Sequence, residues 1–288
     1  MHGHLDIIRF AHESGYPWDK YTCNNAARNG HLEILKLAHE NGCPWTADTC
    51  NNAARNGHLD CLKYAHENGC PWDCIRCRFA ALGGHLKILK YAREMDCPWH
   101  QDTCRVAAEK GHLAILIYAH EGGCPWGQFT CGYAAWKGQL ECLKFAQQHG
   151  CPWDKLTCTL AAKAGHLNCL KFAHENGCPW DKFTCSQAAA FGNLECLKYA
   201  HARGCPWDKF TIRSAAKGHL ECLKYADANG CPRDEDTCII AASRGRLEVL
   251  QFAIANGYPW TVSDLLKHSS TVPVKGWVDC LIISQNKV

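Results

Sequence analysis

Strong charge, long apolar runs and a secretory leader are all missing from this chain, and each absence removes a class of function. The basic and acidic residues nearly balance, leaving a net charge of +3. No strong overall field therefore draws the chain to nucleic acid or to a membrane surface. No stretch reaches the ~18 consecutive apolar residues that a membrane span needs. The opening MHGHLDIIRF has no basic segment leading into an apolar run, so it does not read as a signal peptide. Phosphate-binding glycine loops, serine elbows and paired-carboxylate motifs are lacking too. Together these absences predict a soluble, intracellular, non-catalytic protein in the cytoplasm. They predict no cofactor, nucleic-acid or membrane partner.

What is present is one unit of 27 residues, copied almost from end to end. GHLEILKLAHENGCPWTADTCNNAARN from Gly30 is followed by GHLDCLKYAHENGCPWDCIRCRFAALG from Gly57. The marker column falls at His4, His31, His58, His85, His112, Gln139, His166, Asn193, His219 and Arg246, and only the step into His219 is 26. Such a period is the signature of a solenoid, in which each repeat buries its apolar face only against its neighbours.

Each copy reads as two helices. In the segment 49–56 the varying residues Asn51, Asn52, Arg55 and Asn56 fill one arc, and Cys50, Ala53 and Ala54 fill the other. Gly57 ends that helix as a left-handed cap. The segment 59–68 is apolar over more than half its circumference, which implies packing on several sides. Glu33 and Lys36, Glu141 and Lys144, and Glu195 and Lys198 sit three apart on its solvent stripe, worth ~0.2–0.5 kcal/mol a pair. Gly69 and Pro71 stop the second helix. Trp72 then falls in a column of indoles, broken only at Arg233, that is expected to cover the seam between repeats. Asp73, Asp154, Asp181 and Asp208 stand where a side-chain N-cap belongs.

The 23 cysteines follow the repeat. All but Cys74 and Cys280 fall in three columns: the Cys-Pro-Trp turn, the start of the first helix, and the second helix. His39, Cys43 and Cys50 typify a recurring His-x3-Cys-x6-Cys, whose two thiolates and imidazole are plausible zinc ligands. Against this, Tyr16 and Tyr258 replace the turn cysteine, Ile212 the first-helix one, and Ile34, Ile88, Ile115 and Val249 the second-helix one. A small buried hydrophobe tolerates such exchange and a metal ligand does not. One local cluster, His66, Cys70, Cys74 and Cys77, is a separate candidate for a single metal site. A cysteine-rich metal-binding or redox protein is thus the rival reading. The marker histidines change to Gln139, Asn193 and Arg246, which suits a turn hydrogen bond better than catalysis.

The run AARNGHLEILKLAHENG at 26–42 resembles the inner helix, glycine turn and outer helix of ankyrin repeats. The usual repeat of that family is about 33 residues long. Here the connector is shorter, and the family's Thr-Pro-Leu-His opening is replaced by motifs such as Asp48-Thr49-Cys50. The chain is similar to short ankyrin-like arrays with Cys-Pro-Trp turns found in large DNA viruses, amoebae, algae and oomycetes, which implies residence in a host cell if the source is viral. The resemblance implies an all-α, ankyrin-like helix-turn-helix solenoid of about ten short repeats, acting as a protein–protein interaction scaffold. It also implies that the first helix of each repeat lines the concave side.

On that face the varying positions carry aromatic and basic residues of the kind that make binding hot spots. The candidate partner-binding residues are Arg55, Arg78, Arg105, Glu109, Tyr133, Trp136, Lys137, Lys163 and Phe191. The Tyr133–Trp136–Lys137 patch is the foremost of them. Lys155, Lys182 and Lys209 form a second stripe, either facing an acidic partner or solvated. The array is expected to span 1–263 and to act as a monomer. Its first repeat lacks a first helix, leaving Leu5, Ile7, Ile8 and Phe10 without a preceding partner, as if an N-terminal cap or domain were missing. Residues 264–288 break the repeat and read as a C-terminal cap.

Overall fold

The computed structural model describes residues 5–71, 75–100 and 102–285. Among them all regular structure is helical, with no strand. The chain forms two compact blocks, 1–130 with 148–151, and 131–147 with 152–288. Trp72, Asp73 and Cys74 lie outside the described residues.

Both blocks repeat the same helix pair. In the first block, first helices Lys20–Asn29, Ala47–Asn56, Ile75–Gly83 and Thr103–Lys110 alternate with second helices Leu32–Glu40, Leu59–Glu67, Leu86–Glu94 and Leu113–Glu121. In the second, Lys155–Ala164, Lys182–Ala190, Lys209–Ala215 and Thr237–Ser243 alternate with Leu167–Glu175, Leu194–Ala202, Leu220–Ala228 and Leu247–Ala255. The first helices pack most closely on one another. Their paired alanines, such as Ala161–Ala162 and Ala188–Ala189, are wholly buried, and the short side chains permit that approach. The second helices contribute Leu170, Leu197, Leu223 and Leu250 to the core, again with no exposure.

The caps follow the expected chemistry. Asp154, Asp181 and Asp208 each accept a hydrogen bond at 3.0 Å from the backbone N–H two residues on, worth ~1 kcal/mol apiece. The helix expected over 49–56 begins two residues earlier, at Ala47, because Thr46 takes the cap and closes a capping box with Thr49. The 26-residue step shortens a first helix. Lys209–Ala215 has 7 residues where Lys182–Ala190 has 9, while the following second helix Leu220–Ala228 keeps its 9 residues.

The marker column does more than hold a turn. Its side chains reach back a whole repeat to the carbonyl end of the preceding first helix. His58 Nε2 lies 3.1 Å from Arg28 O and His85 Nε2 3.1 Å from Arg55 O. Asn193 Nδ2 donates to Ala162 O at 2.9 Å and Lys163 O at 2.8 Å, and Arg246 Nε donates to Lys217 O at 3.0 Å. Carbonyls at a helix end have no partner within the helix. Any side chain with an N–H serves them, which is why His, Asn and Arg interchange here.

The indoles lie flat on the second-helix histidine of their own repeat and edge-on to the tyrosine of the next. Trp180 stacks on His174 at 3.7 Å and meets Tyr199 at 6.3 Å; Trp207 does the same with His201 at 3.8 Å and Tyr225 at 6.3 Å. Where Arg233 replaces the indole, three columns change together. Its guanidinium pairs with Asp227 at 2.8 and 3.2 Å, stands 4.6 Å over the Tyr258 ring and donates to Asn256 O. Tyr258 in turn donates to Asp227 at 2.9 Å. A charged clasp thus does the work of an aromatic stack.

Candidate protein-binding face

The outward arc of each first helix is set by the alanine and cysteine arc that faces inward, so its exposed residues form one column per repeat. In the first block, Arg55 is exposed at the end of its helix. Arg78 and Arg105 share Asp102, and Arg105 also pairs with Glu109. Arg105 reaches Asp102 at 3.0 Å and Glu109 at 3.2 Å, and Arg78 Nε stands 3.8 Å from Asp102. The Arg105 guanidinium holds the Asp102 carboxyl below its usual range. This cluster neutralises itself, which the sequence does not show because Asp102 lies outside the varying columns.

In the second block the remaining candidates sort into two aromatic–cation groups. Tyr133 and Trp136 meet edge-on at 5.5 Å, and Lys137 Nζ lies 4.1 Å from the Trp136 ring centroid. Lys163 Nζ lies 5.1 Å from the ring of Phe191, whose side chain is 52% exposed. The structure adds Lys217 and Arg244, exposed in the same column as Lys137 and Phe191, and the half-exposed Phe183 and Phe210. Column position was the signal that would have found them. The Lys155, Lys182 and Lys209 stripe is neither purely solvated nor open. Each lysine pairs with an acid just before the next first helix: Asp181 at 2.9 Å, Asp208 at 2.9 Å and Glu235 at 3.6 Å.

The cysteine columns behave as packing. Among the described residues no group of three or more His, Cys, Asp or Glu side chains is placed to hold a metal ion. His39 stacks on Trp45 at 3.7 Å, with Tyr64 Oη 3.2 Å from its Nδ1, so its ring is committed away from Cys43 and Cys50. Of the cluster His66, Cys70, Cys74 and Cys77, Cys74 is outside the described residues. Cys77 Sγ lies 3.5 Å from Cys97 Sγ, and Cys70 Sγ donates to Thr46 O at 3.3 Å. Burial pushes the second-helix thiols Cys142, Cys169, Cys196 and Cys222 up to about 11. They are protonated at neutral pH and poor nucleophiles. Exposed Cys280 is therefore expected to react with a maleimide in the native protein before these four, which stay protected until unfolding. Labelling followed by peptide mass mapping checks this; equal rates would show that the columns are open and reactive.

Residues 51–93 match the family model of ankyrin repeats in many copies. That stretch holds the helix pair whose geometry recurs in both blocks. The matched stretch is ankyrin repeat, and the same helix pair recurs along the chain. No curated protein matches it. Ankyrin repeats serve in general as protein–protein interaction modules and are typically not enzymes. Among the described residues no helix is long and apolar enough to cross a membrane.

Proposed function

We propose that this ankyrin-repeat chain is a non-catalytic scaffold that binds another protein along the exposed arc of its first helices, the side that is concave in ankyrin arrays. The observation that carries the reading is the Tyr133–Trp136–Lys137 group. Aromatic side chains with a cation laid on them are rigid, amphipathic and partly exposed, which is the composition of interface hot spots. Lys163 and Phe191 extend the same face. Arg55, Arg78, Arg105 and Glu109 are its counterparts in the first block, with the last three acting as one charge-balanced cluster.

In this reading residues 1–263 are the array. The helices Val262–His268 and Val272–Gln285, which bury Leu265, Val274 and Val278, close it at the C-terminal side. The chain acts as a monomer without a cofactor. The metal or redox alternative draws less support: burial pushes the first-helix thiol Cys238 up to about 11, hydrogen bonds from Cys104 and Cys158 engage the turn thiols Cys124 and Cys178 and hold them below their usual range, and the His39 ring is engaged by Trp45 and Tyr64.

The test is quantitative affinity purification from extracts of the source cell. The wild-type chain is compared with Tyr133→Ala/Trp136→Ala and with a second-helix control, Lys144→Ala. Removing two hot-spot rings is expected to cut recovery of the specific partner by about tenfold or more, with the control unchanged. Equal recovery from all three, with each variant folded by circular dichroism, would refute the first-helix face.

A further inference from the structure

The first helices of the second block carry no carboxylate at all. Lys155–Ala164, Lys182–Ala190, Lys209–Ala215 and Thr237–Ser243 contain no Asp or Glu. The acids that precede them are already engaged, Asp181 with Lys155, Asp208 with Lys182, Glu235 with Lys209 and Asp236 with Arg213. The N-terminal edge of this face is thus charge-balanced. The C-terminal edge is not. Lys137, Lys163, Lys217 and Arg244 have no carboxylate within ion-pair distance among the described residues. Helix dipoles supply about half a negative charge at each C-terminus, too little to cancel the full cation where a helix end carries one.

We propose that this edge is a docking surface for an acidic polypeptide segment that carries aromatic or apolar side chains. The inference rests on the protein-binding reading above and names the chemistry of the partner. Two features point the same way. The cations without acids call for carboxylates, and the rings of Tyr133, Trp136 and Phe191 beside them call for apolar side chains between those carboxylates. Spacing fits an extended segment. Packed helices stand roughly 8–10 Å apart, and an extended chain covers that distance in about three residues. One acidic or apolar side chain in every three would then meet one helix end per repeat. Two of the four cations are preset, because Lys137 and Lys163 lie against Trp136 and Phe191, so ordering them on binding costs less side-chain entropy. Nucleic acid also presents anions and rings, but a binding edge for it needs a strong overall positive field, and this chain carries a net charge of only +3.

The experiment measures binding of a fluorescent glutamate–tyrosine copolymer to the full chain by anisotropy. Polyglutamate, a lysine–tyrosine copolymer and oligothymidylate serve as comparison probes. The expected result is that the glutamate–tyrosine copolymer binds best. Lys137→Glu/Lys163→Glu and Lys217→Glu/Arg244→Glu should each weaken it about tenfold or more, while Lys144→Glu/Lys198→Glu on the second helices leaves it within about twofold. These side chains are solvent-facing, and a melting curve for each variant shows that it is folded. Failure of the copolymer to bind, equal binding by the lysine–tyrosine copolymer, or indifference to the charge reversals would overturn the proposal. So would tighter binding of oligothymidylate lost in the same variants, which would make the edge a nucleic-acid surface. If the copolymer fails while Tyr133→Ala/Trp136→Ala still loses its cellular partner, only the acidic class falls and the protein-binding reading stands.

Discussion

Trp180→Ala should lower the unfolding free energy by ~3 kcal/mol, at the low end for deletion of a large aromatic because the ring is only half-buried. The indole lies flat on His174 at 3.7 Å and edge-on to Tyr199 of the next repeat at 6.3 Å. Removing it opens the seam between two repeats without touching the alanine contacts of the first helices. Because stability in such arrays is a sum of repeat and neighbour terms, the denaturation curve should broaden or split as that seam uncouples first. Trp180→Phe keeps a stacked ring and is expected to cost only about 1 kcal/mol. The same variant changes the pH response. Burial, followed by the nearby Arg203 charge, holds His174 below its ordinary 6.5. Between that depressed value and 6.5 the unfolded chain binds the proton more readily than the folded one. His174 therefore contributes stability above 6.5 that is lost as the pH falls below it. With the indole gone the ring is better hydrated and the loss on acidification shrinks. Urea unfolding on either side of pH 6.5, with the His174 titration followed by NMR, checks both parts. An identical acid slope in wild type and variant would disprove the link between the indole and the histidine.

Gly165→Ala is expected to cost ~3 kcal/mol, and the chemically identical change Gly177→Ala only about 1 kcal/mol. Both glycines are left-handed, with φ of +80° and +84°, so both substitutions pay the strain of a Cβ there. They differ in what that Cβ meets. At Gly165 it would lie 2.6 Å from Asn193 Oδ1; at Gly177 nothing stands within 4 Å. Asn193 is the side chain that donates to Ala162 O and Lys163 O. Pushing it aside leaves two helix-end carbonyls without their donor, in addition to the backbone strain. Paired thermal and urea unfolding of the two variants is the test. Equal losses would mean that the marker column does not lock repeats together.

Much of this was legible because the copies read each other. The glycine stops, the Asp154, Asp181 and Asp208 caps, and the Glu33–Lys36, Glu141–Lys144 and Glu195–Lys198 pairs, found at 3.0, 2.8 and 2.9 Å, all involve partners within four residues. Local spacing is enough to find such pairs. The start of helix Ala47–Asn56 was less legible, because Thr46 takes the cap ahead of the segment 49–56 that the periodicity marks, and backbone geometry decides that. The candidate face was half legible. Column variation located Tyr133, Trp136 and Lys137, but it could not show that Arg105 and Glu109 are spent on each other and on Asp102.

By itself the sequence determined the period, the two-helix repeat, the places where helices stop and the apolar character of the cysteine columns, because periodicity and local capping are short-range physics that recur in every copy. Only the tertiary structure decided what meets across a repeat. It paired Lys155 with Asp181, seated Asn193 under the end of the preceding first helix, and joined Asp227, Arg233 and Tyr258 into one clasp. It also left Lys137, Lys163, Lys217 and Arg244 without acids among the described residues. Those partners lie more than twenty residues apart in most cases. Whether a charge is neutralised or displayed depends on how the helices stack, and no pattern within one copy of the repeat encodes that.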